Sequence, residues 1–365
     1  MADITQEQVL GALRHVQDPD LHRDVVSLNM IKDLAIDGSK VSFRMVLTTP
    51  ACPMKAQMES SAREAVAGLP GVGEVNVRMD SEVPKGFQLA GKQSVPGVKN
   101  VIASSSGKGG VGKSTVAVNT ALALSEAGAR VGIVDCDVFG PNIPMMMGVF
   151  GLPPSSGDRI KPAMSYGVEV MSIGFLVPEE KPVVWRGPMV SGLIKQFLYD
   201  VQWGDLDYLI VDLPPGTGDA QLTLAQLVPM TGAIVTVTPQ PVAVHDAVKG
   251  MLMFKQLEVP ILGIVENMSY FICPCGCNHR TDIFGHGGAR KIAEEYEVRF
   301  LGEVPLDASI RTGGDSGRPI MIAAPTTPQA EAFRQVASQV ASQVSIENAK
   351  RASSQLIQIT GIGTR

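Results

Sequence analysis

Val98-Lys99-Asn100-Val101-Ile102-Ala103-Ser104-Ser105-Ser106-Gly107-Lys108-Gly109-Gly110-Val111-Gly112-Lys113-Ser114-Thr115 is the stretch on which the fold turns. Val98–Ser104 reads as a short apolar strand, and apolar residues recur at helical spacing from Lys113 to Ala127. Between them, Gly107 to Thr115 satisfies G-x-x-x-x-G-K-[ST]. Strand, glycine-rich loop and helix stand in the order that phosphate binding needs. Glycines let the backbone N–H groups curl around phosphate oxygens, and the helix N-terminus adds positive potential. Lys113 is placed to reach the β- and γ-phosphates of a nucleotide, and the Ser114 hydroxyl to ligate Mg²⁺.

Outward from this loop the chain alternates strands with helices. Strands are expected at Val98–Ser104, Val131–Val134, Tyr208–Val211, Ala233–Val237, Ile261–Val265 and Arg299–Glu303, with helices at Lys113–Ala127, Val242–Leu257 and Gly287–Tyr296. Such alternation predicts an α/β fold, a mostly parallel sheet covered on both faces. Two strands end in acids: Val131–Val134 runs into Asp135-Cys136-Asp137, and Tyr208–Val211 into Asp212 and Leu213-Pro214-Pro215-Gly216-Thr217-Gly218-Asp219. Ligands of such sheets bind at the carboxyl ends of strands, so these acids are expected to converge on the phosphates. Asp212 is assigned to holding Mg²⁺ through water. Asp135 and Asp137 form a first switch, with Asp137 positioning the attacking water. A purely capping role is the alternative for each. Gly216 and Gly218 would let a second switch move when γ-phosphate is lost. No N-K-x-D guanine motif is present, which favours ATP over GTP. Cys136 reads as core.

The chain has 365 residues, 45% of them hydrophobic, and a net charge of -5, values that exclude disorder as the main state and argue against broad binding to nucleic acid or anionic membrane. No apolar run approaches the roughly 18–20 residues that span a bilayer, and the amino terminus lacks a signal-peptide pattern, so a cytoplasmic protein is expected. Residues 1–79 read as a small α+β domain. Thr5 and Gln8 form a capping-box pattern, Val41 to Leu47 and Val75 to Met79 alternate as strands, and Pro53 opens a helix to about Ala67. Residues 80–97 read as a linker, 98–345 as the nucleotide-binding domain, and 346–365 as a terminal helix and loose tail.

Cys273-Pro274-Cys275-Gly276-Cys277 packs three of the five cysteines into five residues, a spacing foreign to a disulfide framework in a cytosolic chain. Pro274 and Gly276 keep the thiols on a kinked loop. The cluster suits a metal: an iron–sulfur cluster bridged between two subunits, a zinc ion, or else a redox or structural role. His279 is a possible stray ligand. His15, His22, His245 and His286 show no paired motif and read as surface or core residues.

The loop Gly107 to Thr115 resembles the deviant Walker A motif of the MinD/ParA and nitrogenase-iron-protein class, the SIMIBI type of P-loop NTPase. The resemblance implies that Lys108 acts in trans on a partner's nucleotide, within a nucleotide-sandwich homodimer. It also implies that Asn267, ending the strand Ile261–Val265, recognises adenine, with a turn role as the competing reading. Asp212–Asp219, Thr238–Gln240, Glu266–Ser269, Cys273–Cys277 and Ile283–Gly288 together resemble the Mrp/ApbC family of iron–sulfur carrier ATPases. That implies a [4Fe-4S] cluster held at the dimer interface and delivered to apo iron–sulfur proteins under ATP control, with a cluster-assembly scaffold as a further partner. The family usually carries C-x-x-C here, and Cys273 with Cys277 is the favoured pair, Cys275 the close rival. Asp18-Pro19-Asp20-Leu21 and Leu47–Pro53 resemble the metal–sulfur-cluster assembly domain often fused to this ATPase. Cys52 would then stand at a helix N-terminus with a lowered thiol pKa, unless it is a buried, inert cysteine. Two rivals remain: a positioning ATPase of the MinD/ParA type, and a zinc-binding, nucleotide-switched scaffold.

Overall fold

The computed structural model describes residues 4–86, 91–151, 155–156, 159–176, 187–273, 275, 277 and 279–361. Contacts divide the chain into two units, Met1–Pro84 with Ala352–Arg365, and Lys85–Arg351.

In the first unit, α1 (Gln6–Leu13) begins on the capping box: Gln8 N donates to Thr5 Oγ1 at 3.3 Å and Thr5 N donates to Gln8 Oε1 at 2.9 Å. β1 (Ile31–Asp37) pairs antiparallel with β2 (Lys40–Leu47), α2 (Lys55–Ala67) crosses over, and β3 (Glu74–Ser81) pairs parallel with β2. Alternation along β2 buries Val41, Phe43, Met45 and Leu47 against Val9, Leu13, Met58, Ala62 and Val66. β1 was not legible in the sequence because its alternation is interrupted. Asp33 takes a left-handed φ of 52°, and the pairing slips between Lys32 and Ala35. α2 starts at Lys55, two residues beyond Pro53.

The second unit is built on an eight-stranded sheet. Its main elements are β4 (Val98–Ser105), α3 (Lys113–Glu126), β5 (Val131–Asp135), α4 (Ile143–Met146), β6 (Ala163–Ser165), β7 (Val168–Ser172), α5 (Gly187–Tyr199), β8 (Leu206–Asp212), α6 (Asp219–Leu227), β9 (Gly232–Val237), α7 (Pro241–Gln256), β10 (Ile261–Glu266), the hairpin β11 (Phe271–Ile272) and β12 (Arg280–Thr281), α8 (Gly288–Glu295), β13 (Phe300–Glu303), α9 (Ala308–Asp315), α10 (Ile320–Ala323) and, up to Arg351, α11 (Pro328–Gly361), whose residues from Ala352 count with the first unit. The sheet order is β6-β7-β5-β8-β4-β9-β10-β13, parallel throughout except for the edge strand β6. The chain enters at the centre, on β4, and leaves it in both directions. The crevice at the carboxyl end of β4 is thus the site such topology offers to a ligand. Central strands are apolar without alternation, as burial on both faces demands: every residue of β5, β8 and β9 is buried.

The division between the two units, at Pro84 and Lys85, falls inside the expected linker 80–97, whose described ends are tied to their neighbours: Asp80 and Ser81 complete β3, Gly86 N donates to Lys99 O at 2.7 Å, and Val95 is buried. α11 runs unbroken past residue 346 to Gly361, because its sequence offers no proline after Pro328 at its start and no glycine before Gly361. The last residues of the expected tail, 362–365, lie outside the described residues, as do Pro274 and Gly276 of the expected kink.

Candidate functional site

The phosphate loop is held open by what its glycines lack. Gly112 is the N-cap of α3 with φ +79°, and a Cβ there would stand 2.1 Å from Asn267 Nδ2. At Gly107 a Cβ would stand 2.2 Å from the backbone carbon of Asp246, so the loop rests directly on α7. α3 then presents its first-turn N–H groups to the crevice, a ready anion site.

Sheet register brings the acids to this loop. Asp212 stands opposite Asp135 on β5 and opposite Ser104 on β4, so three strands end at one level. Lys113 Nζ lies 2.8 Å from Asp212 Oδ1 and 3.7 Å from Asp137 Oδ2, and Ser114 Oγ donates to Asp212 Oδ2 at 2.5 Å. An ammonium, a hydroxyl and two carboxylates therefore meet within one turn of the loop. The oxygens are the hard donors that Mg²⁺ takes, so the residues fit that ion. Burial raises the Asp137 carboxyl above its ordinary value while Lys113 opposes the rise.

Asp135 sits behind this cluster and not on it. Its carboxylate is fully buried and accepts from Asp137 N at 3.1 Å, Ile143 N at 3.2 Å and Ser172 Oγ at 3.0 Å, tying together the segment that carries Asp137. Burial, reinforced by the charge of Asp212, pushes its pKa up to about 8. Cys136, between the two acids, is fully buried and its thiol is raised by that burial, as a core residue's would be.

A cleft of about 430 Å³ opens over the loop, lined by Gly109, Gly110, Gly112, Lys113, Ser114 and Thr115 on one side, and by Asp137, Asn142, Pro215 and Asn267 around it. Asn267 contributes, though one amide hydrogen is spent on Val111 O at 2.8 Å. Lys108 does not line the cleft. Its side chain is half-exposed, and no ion pair of its ammonium occurs among the described residues. The far wall was missed in the sequence: Met145 and Met146 of α4, then Pro305, Leu306, Asp307, Ile310 and Arg311 around the start of α9. The signal available was positional, since 305–307 lies just past the carboxyl end of β13, and Asp135 and Asp212 stand at the carboxyl ends of β5 and β8.

The thiols stand on the hairpin. β11 and β12 pair through Phe271 with Thr281 and Ile272 with Arg280, and Cys273 N donates to His279 O at 2.9 Å. Beyond this closure Cys275 Sγ lies 2.9 Å from Cys273 Sγ and 2.9 Å from Cys277 Sγ. All three sulfurs fall within 4.8 Å of one another, and Cys275 and Cys277 are exposed. None is in a disulfide. The geometry brings Cys275 in as fully as the pair Cys273 and Cys277. In the first unit Cys52 is half-buried, and burial, with Asp20 and Asp18 adding, raises its thiol pKa despite a backbone amide from Met54. The lowered pKa expected from a helix terminus is not found, because α2 begins only at Lys55 and the sulfur is desolvated. No helix among the described residues is long and apolar enough to cross a membrane.

Residues 97–341 match the family described as ParA, NUBPL iron-transfer P-loop NTPase, and residues 6–77 match that of an iron–sulfur cluster assembly protein. The chain is 51% identical over 348 residues to the iron–sulfur cluster carrier protein of Synechocystis, spanning 94% of this chain and 99% of that one. With the iron–sulfur cluster carrier protein of Escherichia coli K12 it shares 42% identity, over 92% of this chain and 91% of the other. Among solved structures, a nucleotide-binding protein of Archaeoglobus fulgidus in complex with ADP has a TM-score of 0.57 at 39% identity, over 66% of this chain and 93% of that one. The cell division ATPase MinD of Pyrococcus furiosus gives 0.51 at 25% identity, over 66% of this chain and 98% of its own.

Proposed function

The chain belongs to the ParA/NUBPL family of iron-transfer P-loop NTPases, and from that premise we propose that it binds and hydrolyses ATP and carries a [4Fe-4S] cluster to apo iron–sulfur proteins. The observation that carries the reading is the convergence of three free thiols on one exposed hairpin of a nucleotide-binding unit. Thiolates are the ligands that iron–sulfur clusters take, and an exposed site can pass its cargo on.

The nucleotide chemistry follows from the cluster around Lys113. A triphosphate lying along the loop competes with Asp212 and Asp137 for the ammonium, which then neutralises β- and γ-phosphate charge. Ser114 and Asp212 would hold Mg²⁺, which supplies further neutralisation of phosphate charge when bound. Asp137, 3.7 Å from Lys113 and bordering the cleft, is placed to orient the attacking water. Asn267 and the wall from Pro305 to Asp307 take the base side.

The active species is a homodimer that shares the cluster, with Lys108 reaching into the partner's cleft. Supporting this, Phe139 is 79% exposed and Val242 69% exposed, both just beyond carboxyl ends of sheet strands, on the edge that carries the phosphate loop. The domain of residues 1–79 serves as the cluster-assembly module, and the protein works in the cytoplasm. Anaerobic reconstitution with iron and sulfide tests the reading. A thiolate-to-iron charge-transfer band and about two irons per chain, lost in two of Cys273→Ala, Cys275→Ala and Cys277→Ala, support it. One zinc per chain with no such band would falsify it.

A further inference from the structure

The cysteine hairpin grows directly out of the nucleotide cleft. Asn267 and Met268 line or border the cleft, and Cys273 follows Met268 by only five positions. The intervening segment is bonded to the neighbouring wall: Ser269 N donates to Val304 O at 3.0 Å, and Leu306 N, whose residue lines the cleft, donates to Tyr270 O at 2.7 Å. Met268, between wall and hairpin, takes a left-handed φ of 55°, a conformation a side chain disfavours.

The hairpin's own ladder has two residue pairs, too few to fix its position. Besides the backbone bonds of Cys273 and Tyr270, the side chain of Arg280 on the returning strand holds it. The guanidinium lies 4.1 Å over the Tyr270 ring, and its Nη2 stands 3.0 Å from His286 Nδ1 and 3.7 Å from Glu303 Oε2. His286 in turn meets Ser269 Oγ at 3.1 Å, and Ser269 Oγ donates to Glu266 Oε1 at 2.7 Å. Glu266 is fully buried, adjoins Asn267 in sequence, and accepts from Gly287 N at 3.0 Å and Ala289 N at 2.8 Å, which anchors it to the start of α8. Both ends of the network are therefore rigid, one in the cleft wall and one in the sheet.

We propose that Arg280 and His286 are positioning residues that lock the cysteine hairpin to the base wall of the nucleotide cleft, so that nucleotide occupancy sets the exposure of Cys273, Cys275 and Cys277. Its meaning for cargo release rests on the carrier reading above, but its test needs no iron. The rate at which iodoacetamide alkylates the three thiols in the full-length, metal-free chain is read by peptide mass, with and without a saturating non-hydrolysable ATP analogue and Mg²⁺. Nucleotide should slow the wild-type rate by roughly fivefold or more, the lower range of measured couplings between sites. Arg280→Met, which keeps apolar cover on Tyr270, and His286→Ala should bring that ratio close to one at saturating nucleotide. Arg290→Ala, which removes another partner of Glu303 off the hairpin, should leave the ratio unchanged. A wild-type ratio of one, a ratio retained in Arg280→Met, or equal loss in Arg290→Ala overturns the proposal. Failure to load iron and sulfide with this ratio intact would instead count against the carrier reading alone.

Discussion

Gly112→Ala separates two costs that the phosphate loop imposes on a side chain. The first is conformational: φ is +79°, and an L-residue held there costs roughly 1–2 kcal/mol. The second is a collision. The new methyl would stand 2.1 Å from Asn267 Nδ2, so the amide must swing away from Val111 O, which it now meets at 2.8 Å. Val111 is buried, and an unpaired buried carbonyl costs about 1–3 kcal/mol. Gly110 shares the φ of +79° but has nothing within 4 Å of its Cβ position, so Gly110→Ala bears the first cost alone. Gly112→Ala should therefore lower Tm below Gly110→Ala by roughly 3–10 °C in a unit of this size. Both tryptophans, Trp185 and Trp203, fall between Lys85 and Arg351, so tryptophan fluorescence follows this unit alone. In an Asn267→Ala background the collision partner is gone, and Gly112→Ala should cost no more than Gly110→Ala does. Equal losses for the two glycines in the wild-type background, or an undiminished loss for Gly112→Ala beside Ala at 267, would refute the reasoning.

Asp135 should titrate near pH 8 by carboxyl carbon-13 NMR, moving higher in Lys113→Met and lower in Asp212→Asn, since Lys113 opposes and Asp212 reinforces the effect of burial. The folded chain holds this proton more tightly than the unfolded chain, so on its account stability falls as pH rises from about 4 to about 8; a midpoint near 4 contradicts this. Asp207 behaves oppositely: burial alone would raise its pKa, but Arg130 N at 2.9 Å and Lys99 Nζ at 2.9 Å outweigh that and lower it. Its contribution is present above the unfolded carboxyl's value of about 3.9 and fades below it, so the Tm deficit of Asp207→Asn at pH 7 should shrink towards pH 3. Lys108→Ala should leave ATP affinity within about twofold, because the side chain does not line its own cleft, while lowering turnover at least about tenfold if the lysine acts across a dimer. Turnover unchanged at chain concentrations that saturate the dimer would remove Lys108 from the chemistry.

Elements whose burial follows their period were legible. β2 alternates because one face meets the small core, and β5, β8, β9 and β10 are apolar runs because the sheet is covered on both sides. Elements at the margins were not. β6 and β7 lie at one edge of the sheet, α9 begins in a loop, and β11 and β12 are two residues each, too short for any periodicity to register. The placement of Asp135 was also beyond reach. An acid at a strand end reads as ligand-facing whether its side chain turns outward, as at Asp137, or inward to cap a neighbouring segment.

The same contrast explains which half of the cleft a sequence can announce. The phosphate side needs particular atoms at contiguous positions: missing Cβ atoms at Gly107 and Gly112, an ammonium at 113, a hydroxyl at 114. Those demands are written as a motif. The other side of the cleft, where the proposed reading puts the base, needs only a wall at the right height, and Pro305, Leu306 and Asp307 line it from a segment that follows β13, far along the chain. Many residues could build that wall, so no pattern marks it. Yet the wall is also where the cysteine hairpin is fastened, through Leu306 N to Tyr270 O. The part of the molecule least constrained in residue type is thus the part that, on the proposed coupling, would join nucleotide to thiols. Variation there should alter how strongly the two sites are coupled while leaving both motifs, and the chemistry each supports, intact.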